Sequence, residues 1–248
     1  MTILQMFLGG GQFQVDSADF DGTNDWMPRA SDLDGNSDSK SGILSCWIRF
    51  DGGDGVAQRA IANANLRFNV TKAATTNIIG ITGRNAAGTI ILQLLTDTAY
   101  TASATWLHFL VSWNLATAAA HLYVNDSDDI AAGPTLTDDT IDYTQTSWGI
   151  GSGATGSEKL DGCLAEFYFA PGQYIDLSVE TNRRRFISAG GKPVYLGSTG
   201  SAPTGTAPIV YQHLDNGEAV ASFATNRGTG GDFTVTGTLT TGSTSPSD

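Results

Sequence analysis

The chain has 248 residues, and 25 Asp and Glu against 13 Lys and Arg leave a formal charge of −12. Such a surface repels nucleic-acid phosphates and offers no polybasic signal to anionic lipid, so neither nucleic acid nor membrane is expected as a partner. Gly, Thr, Ser, Ala and Asn are plentiful while Glu and Lys are scarce. That composition lacks helix-favouring surface residues and points to an all-β fold with many loops, at a length that one core can fill.

The opening stretch, "MTILQMFLGGGQF", has no basic flank and an apolar run too short for a secretory signal or a membrane span. Residues 1–12 are expected to form an arm or first strand. Leu4, Phe7 and Leu8 are candidate partner-binding residues, because they need burial in the core or on a neighbour.

Strand-like runs bounded by Gly, Asp and Asn follow. "GILSCWIRF" places Leu44, Cys46, Ile48 and Phe50 on one face and Ile43, Ser45, Trp47 and Arg49 on the other. "RAIANANLRFNV" and "NIIGITGRNAAGTIILQLL" come next, the second divided by a Gly-Arg-Asn-Ala-Ala-Gly hairpin loop. "WLHFLVSWN" puts Leu107, Phe109, Val111 and Trp113 inward. After the "NLATAA" turn, Leu122 and Val124 join the same core. "SWGIGSG" and "DGCLAEFYFAPG" are further strands, and strict alternation in the latter directs Cys163, Ala165, Phe167 and Phe169 inward. Many short strands joined by such turns imply a jelly-roll sandwich of two antiparallel sheets. The sandwich is expected over residues 13–170.

One helix is expected in "DLSVETNRRRFISAGGKP", capped by Asp176 or Ser178 and ended by Gly190-Gly191. Arg183, Arg184 and Arg185 are the one basic cluster. They either offset the helix dipole or clamp an acidic partner. The remainder, to residue 248, is rich in Gly, Thr and Ser. Such a tail frays alone, so 171–248 is expected to return to the sandwich or to a neighbouring copy.

Cys46 and Cys163 belong to no CxxC, so zinc is not indicated. Buried free thiols are expected, with a cross-strand disulfide as the alternative. His108, His121 and His213 are scattered, and Gly-x-Ser-x-Gly is absent, so no nucleophilic triad is read. Asp32, Asp34, Asn36 and Asp38, and then Asp126, Asp128 and Asp129, are oxygen clusters of the kind that suit Ca²⁺. The second trio is the candidate metal set, and no other cofactor is expected. Trp26 beside Asn24 and Asp25, and Trp148, are the candidate glycan-binding residues, since a sugar ring stacks on an exposed aromatic next to an amide or acid.

In order along the chain, "FDGTNDWM", "LSCWIRF", "WLHFLVSWN", "LYVND", "WGIGS" and "DGCLAEFYF" resemble the laminin-G-like branch of the concanavalin A-like jelly rolls. Asp126 stands where that family usually has Gly, and Asp tolerates the left-handed turn better than most residues. The family's glucanases carry a Glu-x-Asp-x-Glu strand, whereas the corresponding strand here has Glu166 alone. Retaining glycosidases need two carboxylates about 5 Å apart, so no enzyme is expected. The segment from Asp176 to Leu239 is similar to the C-terminal part of lectin-like structural proteins of tailed bacteriophages. That resemblance implies a virion component, a capsid decoration or a tail or fibre protein, whose partners are other virion subunits and further copies of itself. The alternative is a carbohydrate-binding adhesion module for host surface glycan.

Overall fold

The structure, a computed structural model, describes residues 13–248. The apolar run with Leu4, Phe7 and Leu8 lies outside the described residues.

Among the described residues, fifteen strands form two antiparallel sheets. They are β1 (Ala18–Asp21), β2 (Met27–Arg29), β3 (Ser41–Phe50), β4 (Gln58–Asn63), β5 (Phe68–Lys72), β6 (Ile78–Arg84), β7 (Ile90–Ala99), β8 (Leu107–Asn114), β9 (Ala119–Val124), β10 (Ser127–Asp128), β11 (Thr135–Leu136), β12 (Trp148–Ile150), β13 (Asp161–Pro171), β14 (Val210–Gln212) and β15 (Thr240–Thr241). The first sheet runs β10-β9-β8-β3-β13-β1-β15, and β14 joins the edge of β13 beyond β1. The second runs β11-β7-β6-β5-β4-β12-β2.

The core lies between the sheets. Leu44, Cys46, Ile48 and Phe50 of β3 and Leu107, Phe109, Val111 and Trp113 of β8 face Phe68 and Val70 of β5, Ile79 and Ile81 of β6 and Trp148 of β12. Phe68 stacks on Phe169 at 4.7 Å and on Trp113 at 5.7 Å. Each such ring stabilises the fold by about 2–3 kcal/mol through burial. The Trp113 ring lies over Gly42, where a Cβ would come within 2.2 Å of it. Both arms of the β8–β9 hairpin feed this core as alternation requires. Asn125 and Asp126 then turn the chain into β10 with φ of +49° and +66°. Asp126 thus occupies the left-handed position expected of it.

Alternation fails in β13. Its pairing with β3 slips between Ala165 and Tyr168, where Glu166 has φ +47°. This one-residue bulge reverses the phase of the strand. Leu164, Phe167 and Phe169 point into the core, while Cys163 and Ala165 face the other side with Tyr168 and Ala170. The expectation that Cys163 and Ala165 point inward is corrected accordingly. Both cysteines are free and buried.

The outer face of the first sheet is also covered. Ile175, Leu177, Phe186 and Leu196 pack on Ile43, Leu110, Tyr123 and Tyr168, and Val15 and Ile187 pack on Trp47 and Ala165. The stretch 175–196 therefore forms a third layer on the sandwich, while farther along β14 and β15 join the first sheet and Phe223 and Phe233 enter the core between the sheets. The C-terminal tail is held by the same chain: Ser17 Oγ donates to the Thr244 carbonyl at 2.9 Å, and Val15 N donates to Ser247 Oγ at 3.0 Å. The expected helix shrinks to the turn Glu180–Arg183, and Val179 rather than Asp176 or Ser178 precedes it. Asp176 instead accepts from Ser178 N and Oγ at 2.9 and 2.6 Å, closing a turn before the helix. Packing of Phe186 and Ile187 into the layer ends the helical path well before Gly190.

Candidate functional site

Among the described residues, a cleft of about 270 Å³ opens where the third layer meets the first sheet. Its lining includes Trp47, Trp106, Asn125, Ile187, Lys192 and Asp248. Trp47 comes from the outer face of β3, and Trp106 precedes β8.

Each wall is held from behind. Trp47 packs on the His108 ring at 4.8 Å, and His108 Nε2 lies 2.9 Å from Ser45 Oγ. Burial pushes the pKa of His108 down to about 3, so the ring is a neutral support. The Arg49 guanidinium lies 5.5 Å from the centre of the Trp106 ring and is ion-paired to Asp51 at 2.6 Å. Trp106 Nε1 donates to Thr244 Oγ1 at 3.2 Å, and Arg49 donates to the same hydroxyl. Asn125 accepts from His108 N at 2.7 Å, which fixes its amide at the rim. On the far side a tight turn carries Lys192: Lys192 N donates to Ser188 Oγ at 3.0 Å, and Gly191 N donates to the Ser188 carbonyl at 3.0 Å. Lys192 Nζ meets the main-chain oxygen of Asp248. Trp47 is 3% exposed and forms the floor, so the half-buried Trp106 indole, an amide and a cation are what the concavity offers a polar ring with apolar C–H faces.

The residues expected to bind glycan lie elsewhere. Trp148 is fully buried between the sheets, where its Nε1 donates to Asp32 Oδ1 at 3.1 Å, so its ring offers no surface to a sugar. Asp25 is buried and accepts from Thr238 N at 2.6 Å. Asn24 is exposed, and Trp26 is half-buried and bridged to the returning segment at Thr236.

The expected metal trio does not converge. Asp126 is bound by Arg183 Nε and Arg184 Nη2, each at 2.6 Å, and these hydrogen bonds outweigh burial to lower its pKa. Asp129 is buried and accepts from Thr98 Oγ1 at 2.7 Å and Tyr100 OH at 2.6 Å. Asp128 is exposed and accepts only from Ile130 N, at 3.3 Å. The basic cluster is engaged internally as well. Arg183 also covers the Tyr123 ring at 4.5 Å, and Arg185 donates to the Pro203 carbonyl at 2.7 Å. A different trio, Asp19, Asp51 and Cys163, does come together. Arg49 already supplies positive charge there, donating to Asp51 and, at 3.4 Å, to Cys163 Sγ. Burial, then the charge of Asp19, pushes the Cys163 thiol well up, so it stays protonated.

Sequence reasoning also missed a buried polar chain. The bulge turns Glu166 toward His213 Nδ1, and Tyr211 OH donates to it at 2.8 Å. His213 Nε2 reaches Asp215 at 3.0 Å, and Phe13 stacks on its ring at 6.0 Å. Glu166 and His213 are 2% and 1% exposed, so this network clasps β14 to β13 from inside and reaches the surface at Asp215.

No family model matches the chain, and no curated protein matches it. Among solved structures it is similar to a Bacteroides ovatus protein provisionally described as carbohydrate binding, with a TM-score of 0.64 and 11% identity. That match covers 93% of this chain and 60% of the other, so the chain spans less than two thirds of that protein's length. It is also similar to a heptameric SAP-like pentraxin from Limulus polyphemus, with a TM-score of 0.50 and 11% identity over 69% of this chain and 83% of that one. At this identity the likeness is one of fold: the chain is an all-β sandwich of two antiparallel sheets, a lectin-like jelly roll.

Proposed function

We propose that this protein is a non-catalytic carbohydrate-binding module whose ligand enters the Trp47–Trp106 cleft. The observation that carries the proposal is the cleft itself, with the half-buried Trp106 indole held by Arg49 over a floor of Trp47 and with the Asn125 amide at its rim. The fold it shares with a protein described as carbohydrate binding supports the reading. The lining supports a binding rather than a hydrolytic reading, since Asp248 is its one carboxylate and glycoside hydrolysis commonly uses two. A glycan array probed with the whole chain, followed by titration of the best ligand against Trp106→Ala, tests the proposal. Binding on the array that falls at least tenfold in the variant is expected. Uniform silence, or full binding by Trp106→Ala, would refute it.

A second proposal rests on the resemblance of the Asp176 to Leu239 segment to phage structural proteins. In that reading the module is a virion protein, a capsid decoration or tail-associated component, bound to other virion subunits and to copies of itself. The two readings are compatible, since a decoration protein can also adhere. Mass spectrometry of purified particles together with light scattering of the isolated chain tests the second. A strict monomer absent from particles would end it.

A further inference from the structure

Resting on the carbohydrate-binding reading, we infer that the cleft selects a sugar bearing a carboxylate, and that Lys192 is the residue that sets this preference. Most Lys and Arg side chains of the protein are ion-paired to an Asp or Glu side chain. Among the described residues Lys192 has no such partner, although it stands in the lining of the cleft. Its backbone is fixed by the Ser188–Lys192 turn, so the ammonium is delivered to the cleft by a built element. The atom it meets is an oxygen, the main-chain oxygen of Asp248. That contact places an oxygen acceptor on the ammonium within the cleft, the position that a carboxylate on a sugar ring stacked against Trp106 would take.

Electrostatics sharpen the assignment. The protein carries a net charge of −12, so an anionic sugar gains nothing from the overall field and its retention depends on the local cation. The opposing charge at the site is the Asp248 side chain, one oxygen of which accepts from Ser245 N at 2.7 Å. Residues 245–248 therefore act as a tethered competitor. Thr244, bonded to Arg49, Trp106 and Ser17, anchors the chain just before them. An incoming carboxylate takes over Lys192 as Asp248 swings away.

The test is titration of the full chain, by ligand-observed NMR and calorimetry, with matched charged and neutral sugars. The probes are methyl glucuronide against methyl glucoside, methyl galacturonide against methyl galactoside, and N-acetylneuraminic acid against its methyl ester. At least one acid is expected to bind roughly five- to tenfold more tightly than its neutral match. Lys192→Met is expected to abolish that preference, so that the ratio of acid to neutral affinity within the variant falls to about one. Ending the chain after Thr244 is expected to strengthen acid binding several-fold. Equal binding of acid and neutral sugars, or a preference that survives in Lys192→Met, overturns the inference and leaves the carbohydrate reading standing. Silence from all six probes, together with a silent array, removes both.

Discussion

Replacing Glu166 with Gln keeps the shape of the buried side chain and removes its charge. In the native protein the carboxylate takes a hydrogen bond from Tyr211 OH at 2.8 Å and one from His213 Nδ1, with neither partner open to solvent. Hydrogen bonds to a charged group contribute about 1.5–3 kcal/mol each, and the amide can still accept one of the two. A loss of about 2–3 kcal/mol is expected. For a chain of this size that lowers the melting temperature by about 4–12 °C. The pH dependence separates this clasp from a simple packing defect. Burial pushes the His213 pKa down, but the hydrogen bond and charge of Glu166, with Asp215 beyond, outweigh burial and raise it above 6.5. A histidine raised in the folded state contributes fully below its unfolded value and loses that contribution as pH climbs through the folded one. Thermal melts followed by circular dichroism from pH 5.5 to 9 should therefore show the gap between wild type and Glu166→Gln widest near pH 6 and narrowing toward pH 9. A gap under about 2 °C at pH 6, or one that grows with pH, would refute the reasoning.

Gly162 has φ +152°, and a Cβ there would sit 2.0 Å from the Arg49 carbonyl oxygen. Gly162→Ala should cost more than about 3 kcal/mol and show as a lost or strongly lowered denaturation midpoint. Asp129→Ala strands the Tyr100 hydroxyl and Thr98, and urea unfolding should record a loss of about 2–3 kcal/mol. Because Asp126 and Asp129 are committed to Arg183, Arg184, Thr98 and Tyr100, adding millimolar calcium or chelator should leave the melting temperature unchanged. Burial pushes the Cys46 thiol up to about 12, and Cys163 is also raised. Ellman's reagent at pH 8 should therefore find no reactive thiol until denaturant is added.

Much of the sandwich was legible in the chain. Alternation in "GILSCWIRF" and "WLHFLVSWN" assigned the inward faces of β3 and β8 correctly, because a regular strand has a period of two and one face meets the core. The Asn125-Asp126 turn was legible for a similar local reason, since few residues other than Gly accept the left-handed region.

The candidate site was not legible, and the reasons are physical. Trp47 was assigned to the outward face of β3, as alternation requires. Only the third layer and the C-terminal tail turn that face into a cleft, by bringing Lys192 and Asp248 from positions far along the chain. Trp148 was named as a candidate sugar platform, and sheet packing seals it completely. The bulge at Glu166 breaks the alternation of β13 without any Gly or Pro to announce it. It reverses which side Cys163 and Ala165 face and creates the partnership with His213. Local residue pattern therefore determined the strands, the turns and the sandwich they form. The partners of each outward side chain depend on contacts between segments tens to hundreds of residues apart, and only the tertiary structure could decide those.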